Sequence, residues 1–152
     1  MFFLLLQMQS NSQDKILVMG ATNRPFELDN AALRRFPKRI YIGLPDKATR
    51  ICLIKKLLEQ QTHSLRNYEI EELGRLTDGY SGSDLTALAK DASLGPIREQ
   101  SVERLKVLSA ESIRPLVFDD FRQSLNKIRQ SSNRNGLAEL EKWNREFGDI
   151  NV

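Results

Sequence analysis

The chain has 152 residues, 23 Lys and Arg against 20 Asp and Glu, and a formal net charge of +3. A single Cys excludes an intramolecular disulfide and suits a reducing cytosol. A positive net charge would suit nucleic acid, but no basic stripe interleaved with aromatics appears, which argues against that partner. The excess is local: residues 1–48 hold seven Lys/Arg against four Asp/Glu, whereas residues 49–152 hold sixteen of each. The first element is the apolar block Met1 to Leu6. It has no basic leader and no small-residue cleavage site and is far too short to cross a bilayer, so neither a targeting signal nor a membrane segment is expected there. Left uncovered, Phe2, Phe3 and Leu4 to Leu6 would be an aggregation hazard. Ile16 to Met19 is a short continuous apolar run and predicts a strand buried on both faces. Gly20-Ala21-Thr22-Asn23 follows, and places the neutral amide of Asn23 at the C-terminal end of that strand, where open α/β sheets bind their ligands. Asp29 or Asn30 is set to cap a short helix bearing the paired guanidinium groups of Arg34 and Arg35. Arg39-Ile40-Tyr41-Ile42 predicts a second strand, closed by Leu44-Pro45.

From Asp46 the apolar period becomes helical. Ile51, Ile54, Leu57 and Leu58 define one amphipathic helix to about Gln61, with Asp46 as its cap. Cys52 lies among Ile51, Leu53 and Ile54 and is expected to be a buried thiol. His63, in the polar run Gln60 to Ser64, is expected in a solvated loop, with no ligand cluster around it to hold a metal. Ile70, Leu73 and Leu76 define a second helix, ended by Thr77-Asp78-Gly79. Ser81 or Ser83 caps a third, whose stripe is Leu85, Leu88, Ala89 and Ala92, and Gly95-Pro96 breaks it. A polar link spans Gln100 to Leu116. Phe118, Phe121, Leu125 and Ile128 mark a fourth helix. After a linker at 131–136, Leu137, Leu140, Trp143 and Phe147 mark the last.

Over Lys15 to Pro45, KILVMGATNRPFELDNAALRRFPKRIYIGLP, the chain resembles the second half of an AAA ATPase domain. GYSGSDLTALAKDASLGPIRE (Gly79 to Glu99) and WNREFGD (Trp143 to Asp149) carry the resemblance onward, so that it covers nearly everything from Phe3. Katanin-like, fidgetin-like and endosomal-sorting relatives share the first motif. LTALAKDA followed by GPIRE is similar instead to the spastin-like, microtubule-severing branch of the meiotic clade.

The resemblance implies an α/β remnant of the AAA large domain (1–48), an all-α helical lid domain (49–130), and a linker with a C-terminal helix packing back on the α/β domain (131–152). MFFLLLQMQ is then expected to be the end of the helix preceding the GATN strand, and the Met start to mark a truncated or alternative gene product. It implies that Asn23 is sensor 1, which orients the attacking water, and that Arg34 and Arg35 are arginine fingers for a neighbouring subunit's nucleotide. Gly82, Ser83 and Asp84 would be the lid edge approaching the nucleotide. ATP and Mg²⁺ are implied for the complete enzyme, with a homo-hexamer as the assembly. Tubulin tails on microtubules would be the partner, and the location cytoplasmic and cytoskeleton-associated.

Each of these residues also has a plainer reading. Asn is a common turn former, exposed arginines are usually solvated, and Gly82-Ser83-Asp84 starts a helix. The spacing between Asn23 and the Arg pair favours the functional reading, and Trp143 and Phe147 are read as structural. Equally informative is what this sequence lacks: no Gly-rich turn ends in GK[ST], and no strand ends in the Asp-Glu pair that would hold Mg²⁺. Two functions stay open, part of a severing ATPase or an ATPase-dead fragment that modulates the assembly of AAA rings. A purely helical adaptor would have no use for paired arginines after a sheet tip.

Overall fold

In a computed structural model, residues 1–9, 15–105, 107, 109 and 112–149 are described. The chain divides into two units, Met1–Gly43 together with Asn133–Val152, and Leu44–Ser132.

The first unit is a three-stranded sheet with helices. Strands β1 (Phe2–Gln9), β2 (Lys15–Thr22) and β3 (Lys38–Tyr41) lie in the order β2-β1-β3, with β1 antiparallel to both neighbours. Phe2 therefore stands opposite Thr22 on one side and Tyr41 on the other. A 3₁₀ turn (Pro25–Glu27) and the helix α1 (Asn30–Arg35) connect β2 to β3. The C-terminal helix α8 (Arg134–Phe147) belongs to the same unit, and Trp143 packs against Phe2. Phe2 and Leu4 alternate onto one buried face of β1 as period-2 geometry requires.

Two expectations fail in this unit. The N-terminal apolar block is not a helix end. It is the central strand, because an uninterrupted apolar run is ambiguous in period and the hydrogen-bond partners on both sides settle it as a strand. Nor is β2 buried on both faces. It is an edge strand paired only with β1, and Leu17 and Met19 remain 61% and 59% exposed.

The second unit is helical. Helices α2 (Lys47–Leu58), α3 (Asn67–Leu76) and α4 (Gly82–Ser93) are followed by the short α5 (Gly95–Arg98) and α6 (Val102–Leu105), then α7 (Phe118–Leu125). Asp46 caps α2 by accepting from Thr49 N–H at 2.7 Å. Ile54, Leu73, Leu85, Leu88 and Phe121 are among the residues that form the core. Two glycines shape this unit. Gly79 sits at φ 76° in the turn between α3 and α4, a left-handed conformation that costs other residues. At Gly74 a Cβ would come within 2.4 Å of Ile51 Cγ1, so its absence lets α2 and α3 close together.

Here too details differ from expectation. Cys52 is exposed, on the face of α2 opposite Ile54 and Leu58. His63 is half-buried, because it pairs with Leu116 in an isolated β-bridge that puts its Nδ1 out of contact with water. Leu76 is 36% exposed at the end of α3. The link from Gln100 to Leu116 contains α6, and Ile128 packs on the core from beyond the end of α7.

Candidate functional site

The first group of candidate residues lies on the segment that leaves the sheet. After β2 the Thr22 hydroxyl accepts from Arg24 N–H at 3.0 Å, which turns the chain and leaves Asn23 exposed at the strand tip. Asp29 then caps α1, its Oδ1 accepting from Ala32 N–H at 2.6 Å. Arg34 and Arg35 occupy the last turn of α1, where cations complement the helix dipole. Both are exposed, and neither side chain makes a hydrogen bond or ion pair with a described residue. Two uncommitted guanidinium groups are a planar array of donors suited to phosphate or carboxylate oxygens.

Sequence reasoning missed a third arginine next to them. Arg39, on β3, donates from Nη2 to Leu33 O at 2.7 Å, from Nε to Phe36 O at 3.1 Å and from Nη1 to Phe147 O at 2.8 Å. Its backbone is engaged as well: Arg39 N–H donates to Asp149 Oδ2 at 3.1 Å, and Asp149 N–H donates back to Arg39 O at 3.0 Å. The one signal in sequence is a charged residue beside Ile40 in a short strand. That pattern is too common to single it out.

The second group, Gly82, Ser83 and Asp84, opens α4 in the helical unit. Ser81 is the cap. Its hydroxyl receives Asp84 N–H at 3.2 Å, while Asp84 Oδ2 accepts from Ser81 N–H at 2.9 Å and from the Ser81 hydroxyl at 2.8 Å, a reciprocal capping box. Ser131 N–H reaches the same oxygen at 3.3 Å. Burial alone would raise the pKa of Asp84, but the hydrogen bonds from Ser81 and Ser131 outweigh it and hold the carboxyl below its ordinary value. Asp84 is only 6% exposed and its charge is turned inward, whereas Gly82 and Ser83 are exposed at the helix start. Asn23, Arg34 and Arg35 thus share one unit and Gly82 to Asp84 belong to the other.

The residues present do not fit Mg²⁺. Among the described residues no group of three or more His, Cys, Asp or Glu is placed to hold a metal ion. The Asp29 carboxylate is committed to the cap of α1 and that of Asp84 to the capping box of α4. No described helix is long and apolar enough to cross a membrane.

Comparison with known proteins gives the family. Residues 1–44 match the family described as "ATPase family associated with various cellular activities (AAA)", and residues 67–106 match the AAA+ lid domain. The chain is 54% identical to chicken (Gallus gallus) spastin over 144 residues, which is 95% of this chain and 24% of that protein. Against human (Homo sapiens) spastin the identity is also 54%, over 95% of this chain and 23% of that protein. The chain thus spans about a quarter of the length of the spastins it matches. Among solved structures, the AAA domain of FIGL-1 in complex with ADP superposes with a TM-score of 0.82 at 37% identity, covering 86% of this chain and 44% of that one. A katanin structure, solved in a study of katanin self-assembly, superposes with a TM-score of 0.68 at 30% identity, covering 78% and 43%. The chain belongs to the AAA ATPase family, as a spastin-related member that carries the end of the AAA domain and the lid.

Proposed function

We propose that this chain supplies the C-terminal elements of a spastin-like microtubule-severing ATPase, which acts as a hexamer on tubulin tails in the cytoplasm. The observation that carries the reading is the Arg34–Arg35 pair, exposed at the end of a capped helix and without a partner among the described residues. In this reading the pair acts in trans, stabilising charge on the γ-phosphoryl held by a neighbouring subunit. Such arginines are worth about 10³- to 10⁵-fold in rate. Asn23, exposed at the tip of β2, orients the attacking water, and the free backbone N–H groups of Gly82 and Ser83 face the nucleotide. Asp84 supports them through its capping box with Ser81 rather than touching an anion that its own charge would repel.

ATP and Mg²⁺ serve this reading only with parts that this sequence does not contain. The alternative reading is an ATPase-dead fragment that docks on full-length subunits and modulates AAA ring assembly; an in-frame GK[ST] and Asp-Glu strand upstream would exclude it.

The experiment joins the chain to an N-terminal half bearing GK[ST] and the Asp-Glu pair. Arg34→Ala or Arg35→Ala is expected to abolish most hydrolysis while ATP binding by the same subunit persists. Mixing with subunits that have intact arginines and a defective P-loop is expected to restore part of the activity. Hexamers that form yet never regain activity in any mixture would rule out action in trans.

A further inference from the structure

We propose that Arg39 is the positioning residue of the Arg34–Arg35 pair and couples it to the end of the C-terminal helix. The geometry is independent of the proposed function, and only its consequence for hydrolysis rests on that reading. Leu33, whose carbonyl receives Arg39 Nη2, immediately precedes Arg34, and Phe36, whose carbonyl receives Nε, immediately follows Arg35. One planar guanidinium therefore brackets the pair from both sides. Its third nitrogen, Nη1, holds Phe147 O at the last residue of α8.

The need for such a clamp follows from helix physics. Helix α1 has six residues, and isolated helices shorter than about 12–15 residues are marginal in water. The last carbonyls of any helix lack intrahelical donors. Arg39 supplies a donor to Leu33 O in α1 and to Phe147 O at the end of α8, and its rigid fork reaches three carbonyls at once, which a lysine's single nitrogen cannot do with the same geometry. Asp149 fixes the far side of the clamp, its carboxylate accepting from Arg39 N–H and its own N–H donating to Arg39 O. A displacement of the end of α8 is thereby transmitted to the two arginines.

The test begins on the 152-residue chain with amide hydrogen exchange read by NMR. Arg39→Ala is expected to speed exchange at Leu33 and Phe36 at least about tenfold while Leu88 in the helical unit is unchanged, with Arg39→Lys intermediate. Ending the chain after Glu146 removes the Phe147 carbonyl and Asp149 while keeping Trp143, and is expected to loosen α1 in the same way. If Arg39→Ala unfolds the first unit, the shortened chain and Arg39→Lys still report on the clamp. Unchanged exchange in α1 in either would overturn it.

In the joined protein described above, Arg39→Ala is expected to lower kcat without changing KM for ATP. Activity should return on mixing with P-loop-defective subunits whose Arg39 is intact. A general structural defect would instead reduce assembly and gain nothing from mixing. If the double variant Arg34→Ala, Arg35→Ala hydrolyses ATP normally, the finger reading fails and the exchange data judge the clamp alone. If that variant is inactive while Arg39→Ala keeps its kcat, the positioning role is wrong.

Discussion

Phe2 and Trp143 meet edge to face, with ring centroids 4.6 Å apart and ring planes at 74°. The contact ties the first strand to the last helix. Phe2 is fully buried by it, and Tyr41 and Phe147 extend the cluster at 4.9 and 5.2 Å from Phe2 and Trp143. Edge-to-face rings gain from their quadrupoles beyond the area they bury, so this pair holds α8 on the sheet unit.

Trp143→Ala should therefore destabilise the first unit. Truncating a buried aromatic to Ala costs about 3–5 kcal/mol, a large part of a domain's marginal stability. A lower melting temperature, with faster amide exchange at Phe2 and Leu4, is the expected result. An unchanged melting curve would mean that α8 is held by other contacts.

What was legible in the sequence followed local chemistry. The caps at Asp29, Asp46 and Ser81, the break at Gly95-Pro96 and the stripe through Leu85 and Leu88 each depend on neighbours within a few residues, and each stands in the structure. Errors arose where distant segments decide. The N-terminal run became a strand because β2 and β3 lie on either side of it, and His63 became half-buried because Leu116 pairs with it. Cys52 is exposed for a subtler reason: apolar neighbours in sequence lie on other faces of a helix, and only i+3 and i+4 share a face. Arg39 was illegible because its three partners are carbonyls, which carry no sequence signal.

Gly74 and Gly136 should respond oppositely to alanine. Both lie in helices, where Gly→Ala gains roughly 0.8–1.0 kcal/mol of intrinsic propensity. A Cβ at Gly136 meets nothing within 4 Å, so that gain should appear. At Gly74 the new methyl would lie 2.4 Å and 2.9 Å from Ile51 Cγ1 and Cδ1. Overpacking of this kind costs about 1–3 kcal/mol and outweighs propensity. Denaturant midpoints should fall for Gly74→Ala and rise for Gly136→Ala; a rise in both would mean that α2 and α3 separate without cost.

Asp91 should make part of the stability depend on acid pH. Arg98 donates to its Oδ2 at 3.0 Å and Ser124 at 2.7 Å, with Lys127 Nζ 3.8 Å away. The Arg98 hydrogen bonds first, then that of Ser124, hold the carboxyl down at about 2 from its ordinary 3.8. A folded-state pKa below the unfolded value contributes stability that is fully present above the ordinary value and is lost as pH falls toward the depressed one. Asp84 and Asp120 shift in the same direction, so the whole chain should weaken in acid. The specific test is the difference in unfolding free energy between the native chain and Asp91→Asn. That difference should be largest above pH 3.8 and shrink toward pH 2. A gap that stays constant with pH would show that Asp91 is not held down.

The 152-residue chain by itself should neither bind ATP tightly nor hydrolyse it. Tight phosphate binding needs a ring of backbone N–H groups and a lysine at one helix start, and this sequence has no GK[ST] run. At the start of α4, Ser81 already occupies Asp84 N–H, and the buried Asp84 carboxylate adds a negative charge there. Arg34 and Arg35 offer two cations but no cradle, and among the described residues no group of three or more His, Cys, Asp or Glu is placed for a metal ion. Calorimetry with ATP and Mg²⁺ should show only weak binding, and purified chain should release no phosphate above background. Micromolar affinity or steady turnover would mean that these residues assemble a nucleotide site of a kind their caps and exposure give no sign of.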